Sequence, residues 1–205
     1  MNIIGGHYNT SNAQEMNFRN LFLILNLIVF LNSTKVFANH QGGPLYGITL
    51  PIGISGAYTT DPSSFNGYRL VASPPLPFGI TYSNFEVSYD ENVNMFLPKG
   101  TYTHQVLELI LLRIPIGSWG FGIGIGGGNV VAVPDDKNYE IQKSSSTSYS
   151  LNIVSGAIGP LVLSASTQTI QAKESEVKYG GISYGEGHDS SITVTSVGFL
   201  YIFYI

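Results

Sequence analysis

The feature that most constrains the fold is an alternation, with a period of two, between apolar residues and small residues. It is clearest in Tyr46–Tyr58, which reads YGITLPIGISGAY. Its even positions are aromatic or aliphatic apart from Gly56, whereas its odd positions hold only Gly, Thr, Pro, Ser and Ala. A β-strand places alternate residues on opposite faces. Because a soluble strand would normally carry charges on its polar face, the small residues favour the inside of a narrow barrel.

The alternation recurs along the chain and predicts eight strands. We expect them near residues 45–59, 65–73, 78–90, 101–114, 119–133, 148–157, 160–171 and 190–205. Short turns rich in Pro and Gly alternate with longer connections that hold most of the charges. That asymmetry is typical of outer-membrane barrels, which have short periplasmic turns and longer external loops. The predicted fold class is therefore all-β, a single eight-stranded antiparallel up-and-down transmembrane β-barrel.

Composition supports a chain whose outside does not face water. Only 11% of the residues are charged, against roughly 25% in a typical soluble domain. A net charge of −4 and the absence of any basic run argue against a nucleic-acid partner. The chain has no cysteine, which excludes disulfides and thiolate metal sites. The alternative fold is a soluble, lipocalin-like barrel, which would leave an outer surface of Gly, Ser and Thr with almost no charge.

The N-terminal region predicts export from the cytoplasm. Its apolar run Leu21–Leu31 is shorter than the roughly 20 residues of a membrane-spanning helix. Arg19 precedes the run, and Val36 and Ala38 follow it as an acceptable cleavage site. We therefore expect a signal peptide at residues 16–38, preceded by an over-extended N-terminus at residues 1–15 and followed by the barrel domain at residues 39–205.

The C-terminal sequence VGFLYIFYI completes a known pattern, because its aromatic residues alternate. With the signal peptide and the eight segments, it resembles the small eight-stranded outer-membrane β-barrel proteins of Gram-negative bacteria, the OmpA/OmpX type. The resemblance covers roughly residues 45–205. It implies that barrel-assembly machinery recognises a C-terminal signal at Phe199, Tyr201, Phe203 and Ile205, although that family usually ends in Phe.

The same resemblance implies the protein's surroundings. We expect an outer-membrane location, with membrane lipid and lipopolysaccharide around the barrel and periplasmic chaperones on the assembly route. We also expect a monomer without a cofactor. Two rings of aromatic residues should mark the membrane borders. We place Tyr46 and Trp119 near the inner border, and Tyr58, Tyr89 and Tyr149 near the outer border.

Charged residues inside the predicted strands indicate an internal network. Arg69, Glu86 and Glu108 lie in segments that should cross the membrane. Facing lipid, an Arg at the midplane would cost about 2–4 kcal/mol. We therefore expect all three side chains in the lumen, with Arg69 paired to Glu86, to Glu108 or to both. This orientation sends Phe85, Val87 and Tyr89 to the lipid face. The network either only fills the lumen or forms a polar gate for small ions.

Two motifs suggest chemistry, and neither is favoured. Within GFGIGIGGG at Gly120–Gly128 lies the spacing G-x-G-x-x-G of a dinucleotide-binding loop, but no helix follows it. The alternation instead places Trp119, Phe121, Ile123 and Ile125 towards lipid. It places Gly120, Gly122, Gly124 and Gly126 in the lumen, where they leave room for side chains from the facing wall.

The second motif is the triplet Glu186, His188 and Ser190. It contains the residue types of a hydrolytic site and resembles the His-x-Ser pair of lipid A deacylase barrels. Here the pair lies in a Gly-rich loop, which favours a solvated loop without catalytic residues. The remaining histidines are too isolated to predict a metal site.

The function that these patterns favour is a non-enzymatic integral outer-membrane barrel protein that supports the envelope or displays surface loops. The alternatives are a narrow channel for small solutes and a lipid-modifying barrel enzyme.

Overall fold

The chain folds into a closed barrel that carries a small extra sheet. The computed structural model describes residues 45–56, 62–73, 78–93, 96–116, 119–173, 176–186 and 190–202. The barrel strands are β1 (Leu45–Gly56), β2 (Ser64–Ser73), β3 (Gly79–Tyr89), β4 (Gly100–Ile116), β5 (Trp119–Pro134), β7 (Ser144–Val154), β8 (Leu161–Ala172) and β11 (Ser190–Ile202). The extra sheet consists of β6 (Tyr139–Ile141), β9 (Glu176–Tyr179) and β10 (Ile182–Glu186).

The barrel has eight strands in the order β1-β11-β8-β7-β5-β4-β3-β2, and each pairs antiparallel with its neighbours. The predicted fold class is confirmed. The extra sheet, in the order β10-β9-β6, lies within two connections that the sequence predicts as loops. Its β9–β10 hairpin turns through Gly180 and Gly181, with φ of 58° and 80°. Positive φ at both positions is the requirement of a two-residue type I′ turn.

One half of the outer surface is an apolar belt. On β4, Leu107, Leu109 and Leu111 point outwards and are exposed, and Ile116 is exposed at the far end of the strand. The nine-residue rise from Leu107 to Ile116 corresponds to a belt about 23 Å tall, at about 3.3 Å per residue and a tilt of about 40°. Other exposed members are Tyr46, Ile48, Leu50, Ile52, Leu70, Ile80, Trp119, Ile123, Ile125, Tyr149, Leu151, Leu161, Leu163, Val197, Phe199 and Tyr201.

The lumen contains three layers. At the end that holds the short turns and Leu45, an apolar layer packs Val71, Val162, Leu200 and Ile202. A polar layer in the middle contains Arg69 and Glu108. At the opposite end, a larger apolar layer fills the upper barrel. Its members are Phe85, Val87, Tyr89, Leu97, Tyr102, Val106, Ile170, Ile192 and Val194.

Along most strands, apolar residues point outwards on the lower part and inwards on the upper part. The change occurs at about the same height on each of these strands. Along β3, exposed Ile80 lies on the outer face, whereas Phe85, Val87 and Tyr89 are buried inside. Along β11, buried Val194 points inwards and exposed Phe199 points outwards. Below this level the barrel is apolar outside, and above it the outer face carries Asn, Gln, Ser, Thr and Glu. The level therefore marks the upper border of the belt.

The predicted orientation of the upper part of β3 is wrong. Phe85, Val87 and Tyr89 point into the lumen rather than towards lipid, and Glu86 lies exposed on the outer face. The sequence prediction assumed that apolar residues face outwards along a whole strand. Residues 85–89 lie above the belt, where burial inside the barrel removes apolar side chains from water.

On β1 the face changes through a bulge. The register with β11 shifts between Pro51 and Gly53, so Ile52 is exposed outside while Ile54 packs against the upper apolar layer. Proline has no N–H to donate to a ladder, and bulges are among the places where strands tolerate it.

Candidate functional site in the barrel lumen

The polar layer is built around a buried ion pair. Arg69 of β2 donates from Nη2 to Oε2 of Glu108 on β4, at 2.8 Å. Their side chains are only 1% and 0% exposed. Each is placed by strand alternation, because the neighbouring residues Leu70, Leu107 and Leu109 point outwards. A buried charge is tolerated when it is paired and hydrogen-bonded, and both conditions hold here.

Hydroxyl groups saturate the Glu108 carboxylate. Ser148 donates to Oε1 at 2.5 Å, and Ser150 donates to Oε2 at 2.8 Å. Thr81 donates to Oε2 at 3.3 Å from the other side. Hydrogen bonds to a charged acceptor are shorter and stronger than those between neutral groups. The β7 residues come from the sequence SSSTSYSLN, whose alternate residues Ser146, Ser148, Ser150 and Asn152 all face the lumen.

Arg69 also forms hydrogen bonds with residues of β3 and β7, the strands that supply the hydroxyl partners of Glu108. Its Nη1 donates to Oδ1 of Asn152 at 2.6 Å, and its Nη2 lies 3.2 Å from both Thr81 Oγ1 and Ser150 Oγ. Its Nε has no hydrogen-bond partner among the described residues. The guanidinium therefore joins β2, β3, β4 and β7 across the lumen.

Gln168 extends this layer to β8. Its Nε2 donates to Ser148 Oγ at 3.1 Å, and its Oε1 accepts from Ser83 Oγ at 2.8 Å. The network consequently joins five of the eight strands. In residues 45–56, 62–73, 78–93, 96–116, 119–173, 176–186 and 190–202, no three His, Asp or Glu side chains are grouped so as to hold a metal ion.

The glycines of β5 make room for the network. A methyl group at Gly124 would overlap Ser150 Oγ and lie 3.2 Å from Glu108 Oε2. At Gly126 it would overlap the backbone of Leu107 and Glu108 instead. Trp119, Ile123 and Ile125 are exposed on the other face. The glycine-rich sequence thus serves a packed lumen and a close approach of β5 to β4.

Both ends of the network are covered by apolar side chains. Phe85, Ile170 and Val194 lie above it and Leu200 below it, each less than 2% exposed. A small cavity of ≈30 Å³ remains beside Val71, Asn152, Ser164 and Leu200. That volume is about enough for one water molecule.

The other predicted site residues are placed as follows. Glu86 is not part of the network, because it lies on the outer face. Tyr46, Trp119 and Tyr149 are 45%, 50% and 51% exposed on the outside, within the apolar belt. Tyr58 lies outside the described residues. Tyr89 is a wrong prediction for the aromatic ring, because it is buried and packs edge-on against Tyr102, with ring centroids 5.8 Å apart.

Sequence reasoning missed two tyrosines at the upper border. Tyr68 and Tyr82 lie on the outer faces of adjacent strands, with ring centroids 6.4 Å apart. The signal that could have found them is the change of apolar face along β3, which turns Tyr82 outwards.

The predicted terminal and loop motifs are only partly visible. Phe199 and Tyr201 point outwards and are exposed, whereas Phe203 and Ile205 lie outside the described residues. His188 also lies outside them. Ser190 begins β11 and pairs with Ala172. The predicted signal peptide and the predicted extra N-terminus, at residues 1–38, lie outside the described part as well. In the part of the chain described here, no helix is long and apolar enough to cross a membrane.

The closed ladder, the outer apolar belt and the polar lumen layer together define the class of fold, an eight-stranded outer-membrane-type β-barrel. Comparison with solved structures agrees. The chain is similar to the outer membrane protein AlkL, whose structure was determined by solid-state NMR in DMPC lipid bilayers, with a TM-score of 0.56. The two are 11% identical, and the match covers 80% of this chain and 92% of AlkL. No protein-family model and no curated protein matches the sequence.

Proposed function

We propose that the protein is a non-enzymatic integral outer-membrane barrel with a filled, non-conducting lumen, which holds the sheet β6-β9-β10 outside the cell. The observation that carries this proposal is the lumen itself. Arg69 pairs with Glu108 at 2.8 Å and reaches Asn152 on the opposite wall at 2.6 Å, between apolar layers that exclude water. Eight strands leave an interior just wide enough for side chains to fill.

The location rests on the outer surface and the structural neighbour. A belt of exposed Leu, Ile, Val, Phe and aromatic side chains encircles the lower barrel. So large an apolar surface on a monomer indicates contact with a membrane. The outer-membrane neighbour has the same fold, which supports the same location. Lipopolysaccharide and membrane lipid would then surround the belt.

The orientation follows from the two ends of the barrel. The short connection between β7 and β8 and the end of β1 at Leu45 lie at one end of the barrel. The long connections that contain β6, β9 and β10 lie at the other end. By the usual asymmetry of such barrels, the first end faces the periplasm. The exposed Phe199 and Tyr201 of β11 are then available to assembly machinery and chaperones before insertion.

Two matched insertions of an epitope tag test the placement. One enters the hairpin turn at Gly180–Gly181, and the control enters the opposite turn next to Gly159, which also has a positive φ, 62°. We expect antibody to label intact cells that carry the first tag, and to label the second only after the outer membrane is permeabilised. Labelling of the Gly159 tag on intact cells would contradict the orientation. Recovery of the protein in the soluble periplasm would contradict the membrane location.

A further inference from the structure

A histidine lies inside the upper apolar layer. His104 of β4 is only 6% exposed and faces the lumen between Tyr102 and Val106, two members of that layer. Its cross-strand neighbours, Phe85 on β3 and Val130 on β5, are buried as well. Because His104 is paired with Phe85, it lies above the upper border of the belt and outside the membrane-spanning part of β4.

The imidazole ring has no polar partner at Nδ1. That atom is buried and forms no hydrogen bond with any described residue. Buried polar atoms nearly always have a hydrogen-bond partner, so an exception calls for an explanation. The hydrogen bonds of the Arg69–Glu108 network do not include His104, so the polar layer does not supply one.

The side chains around His104 could not balance a positive charge. Those that face the lumen at or near its height are apolar apart from one serine. In the described part of the chain they are Ile54, Phe65, Phe85, Val87, Val106, Val130, Ser146, Ile170, Ile192 and Val194. Tyr89 and Tyr102 add phenol groups, which carry no charge in neutral or acidic solution.

The charged residues nearest to this layer are already engaged or lie in water. Glu108 is four residues further along β4, about 13 Å at 3.3 Å per residue, and it is paired with Arg69 at 2.8 Å. Glu86 lies on the outer face. At the mouth of the barrel, the charged side chains Asp90, Glu91, Lys99 and Asp135 are exposed.

We propose that His104 is an acid-sensitive switch, which is neutral while the upper apolar layer is packed and opens that layer to water when it is protonated. A neutral imidazole can remain among apolar side chains. An imidazolium at the same place would be a buried charge without a partner, which is costly. Opening the layer lets water solvate that charge, while the Arg69–Glu108 network below stays paired. The proposal goes beyond a filled lumen at neutral pH, because it concerns the outer mouth of the barrel in acid.

The direction of the pH dependence follows from burial. Burial lowers the pKa of His104 from 6.5 to about 4. Once the layer is open and the ring is in water, its pKa returns to about 6.5. Between these two values the open form binds a proton that the packed form does not. The equilibrium constant for opening therefore rises as pH falls, by up to about tenfold for each pH unit.

Hydroxyl-radical footprinting tests the switch, because these radicals oxidise side chains that water reaches. The mature chain is reconstituted into phospholipid vesicles and exposed to radicals at about pH 7.5 and about pH 4.5, on either side of the ordinary histidine pKa. Oxidised residues are then mapped by mass spectrometry. We expect Phe85 and Val87 to be protected at the higher pH and to be oxidised several-fold faster at the lower one. Leu107, in the belt, should stay protected at both.

Two variants separate His104 from the carboxylates, which also take up protons in acid. His104→Met and His104→Gln cannot be protonated, and each should keep Phe85 protected at both pH values. Two different replacements are used so that the result does not depend on how well one of them packs. An acid response that persists in the variants, or none in the parent protein, would overturn the inference while the membrane location and the filled lumen stand. Oxidation of Phe85 already at the higher pH would overturn both the inference and the filled lumen.

Discussion

Arg69 and Glu108 show how a charged pair can be placed inside a membrane barrel. Each has a charged partner and at least two further hydrogen-bond contacts from Thr81, Ser148, Ser150 or Asn152. Replacing one member leaves the other charge buried and without compensation, which is costly. The free energy of unfolding should therefore be higher with the intact pair than with either single variant. This comparison is separate from the one between the ion pair and an apolar pair.

We predict that Arg69→Met and Glu108→Gln each lower the free energy of unfolding by about 3–5 kcal/mol. The double variant Arg69→Met/Glu108→Gln should lose less than the sum of the single losses, because it leaves no unpaired charge. Urea unfolding in lipid vesicles, followed by the fluorescence of the single tryptophan, Trp119, measures all three.

The control for that series is the exposed pair Lys99–Asp135, with a separation of 3.5 Å between Nζ and Oδ2. Lys99→Gln should change the free energy of unfolding by less than about 1 kcal/mol. Equal effects of Lys99→Gln and Arg69→Met would argue against a special contribution from the lumen pair.

A second residue-scale prediction concerns the missing side chains of β5. Gly124→Ala should lower the free energy of unfolding by about 1–3 kcal/mol, because the added methyl group overlaps Ser150 and crowds Glu108. Gly53→Ala is the matched control, since nothing lies within 4 Å of a methyl group there. The same unfolding measurement applies, and a neutral Gly124→Ala would contradict the packing described for the lumen.

At the scale of the strand, the change of apolar face is the feature that organises the barrel. A single strand carries two patterns, with apolar residues outside below the border and inside above it. In the sequence ITYSNFEVSY, Ile80 and Tyr82 are even-numbered, whereas Phe85, Val87 and Tyr89 are odd-numbered. The change is readable in the sequence, and a prediction that assumes one apolar face per strand reverses the upper half.

Cysteine substitution tests this corrected orientation in a chain that has no natural cysteine. We predict that a membrane-impermeant maleimide labels Glu86→Cys on intact cells, because residue 86 is exposed on the outer face above the belt. Val87→Cys should stay unlabelled until the protein is denatured, since Val87 is 1% exposed. The reverse result would restore the orientation that the sequence alone suggests.

The sequence also predicts most of the strands, because period-two alternation survives wherever a strand has one lipid face. It predicts Arg69 and Glu108 in the lumen from the cost of charge in lipid. It does not predict their hydroxyl partners, since Thr81, Ser148 and Ser150 meet across strands whose register depends on the whole closed ladder. The extra sheet is missed because β6 and β9 have only three and four residues, too few for a periodic signal.

At the scale of the whole molecule, the two halves of the barrel have outer surfaces suited to different surroundings, lipid below and water above. The lower half has the apolar outside of a membrane barrel and holds the polar network above a small apolar layer, and the upper half has the apolar inside and polar outside of a soluble barrel. The upper layer and the network below it both fill the lumen with side chains. A passage for ions would have to cross both layers, which is why we propose a membrane anchor and not a pore.

Current recording in planar bilayers tests that central claim most directly. Vesicles whose inserted protein has been verified by the Gly180–Gly181 tag are fused with the bilayer, and protein-free vesicles serve as the blank. We predict that the protein gives no discrete conductance steps above that blank at neutral pH. Reproducible steps that change in size with Glu108→Gln would contradict the filled lumen and would assign the protein to the narrow channels.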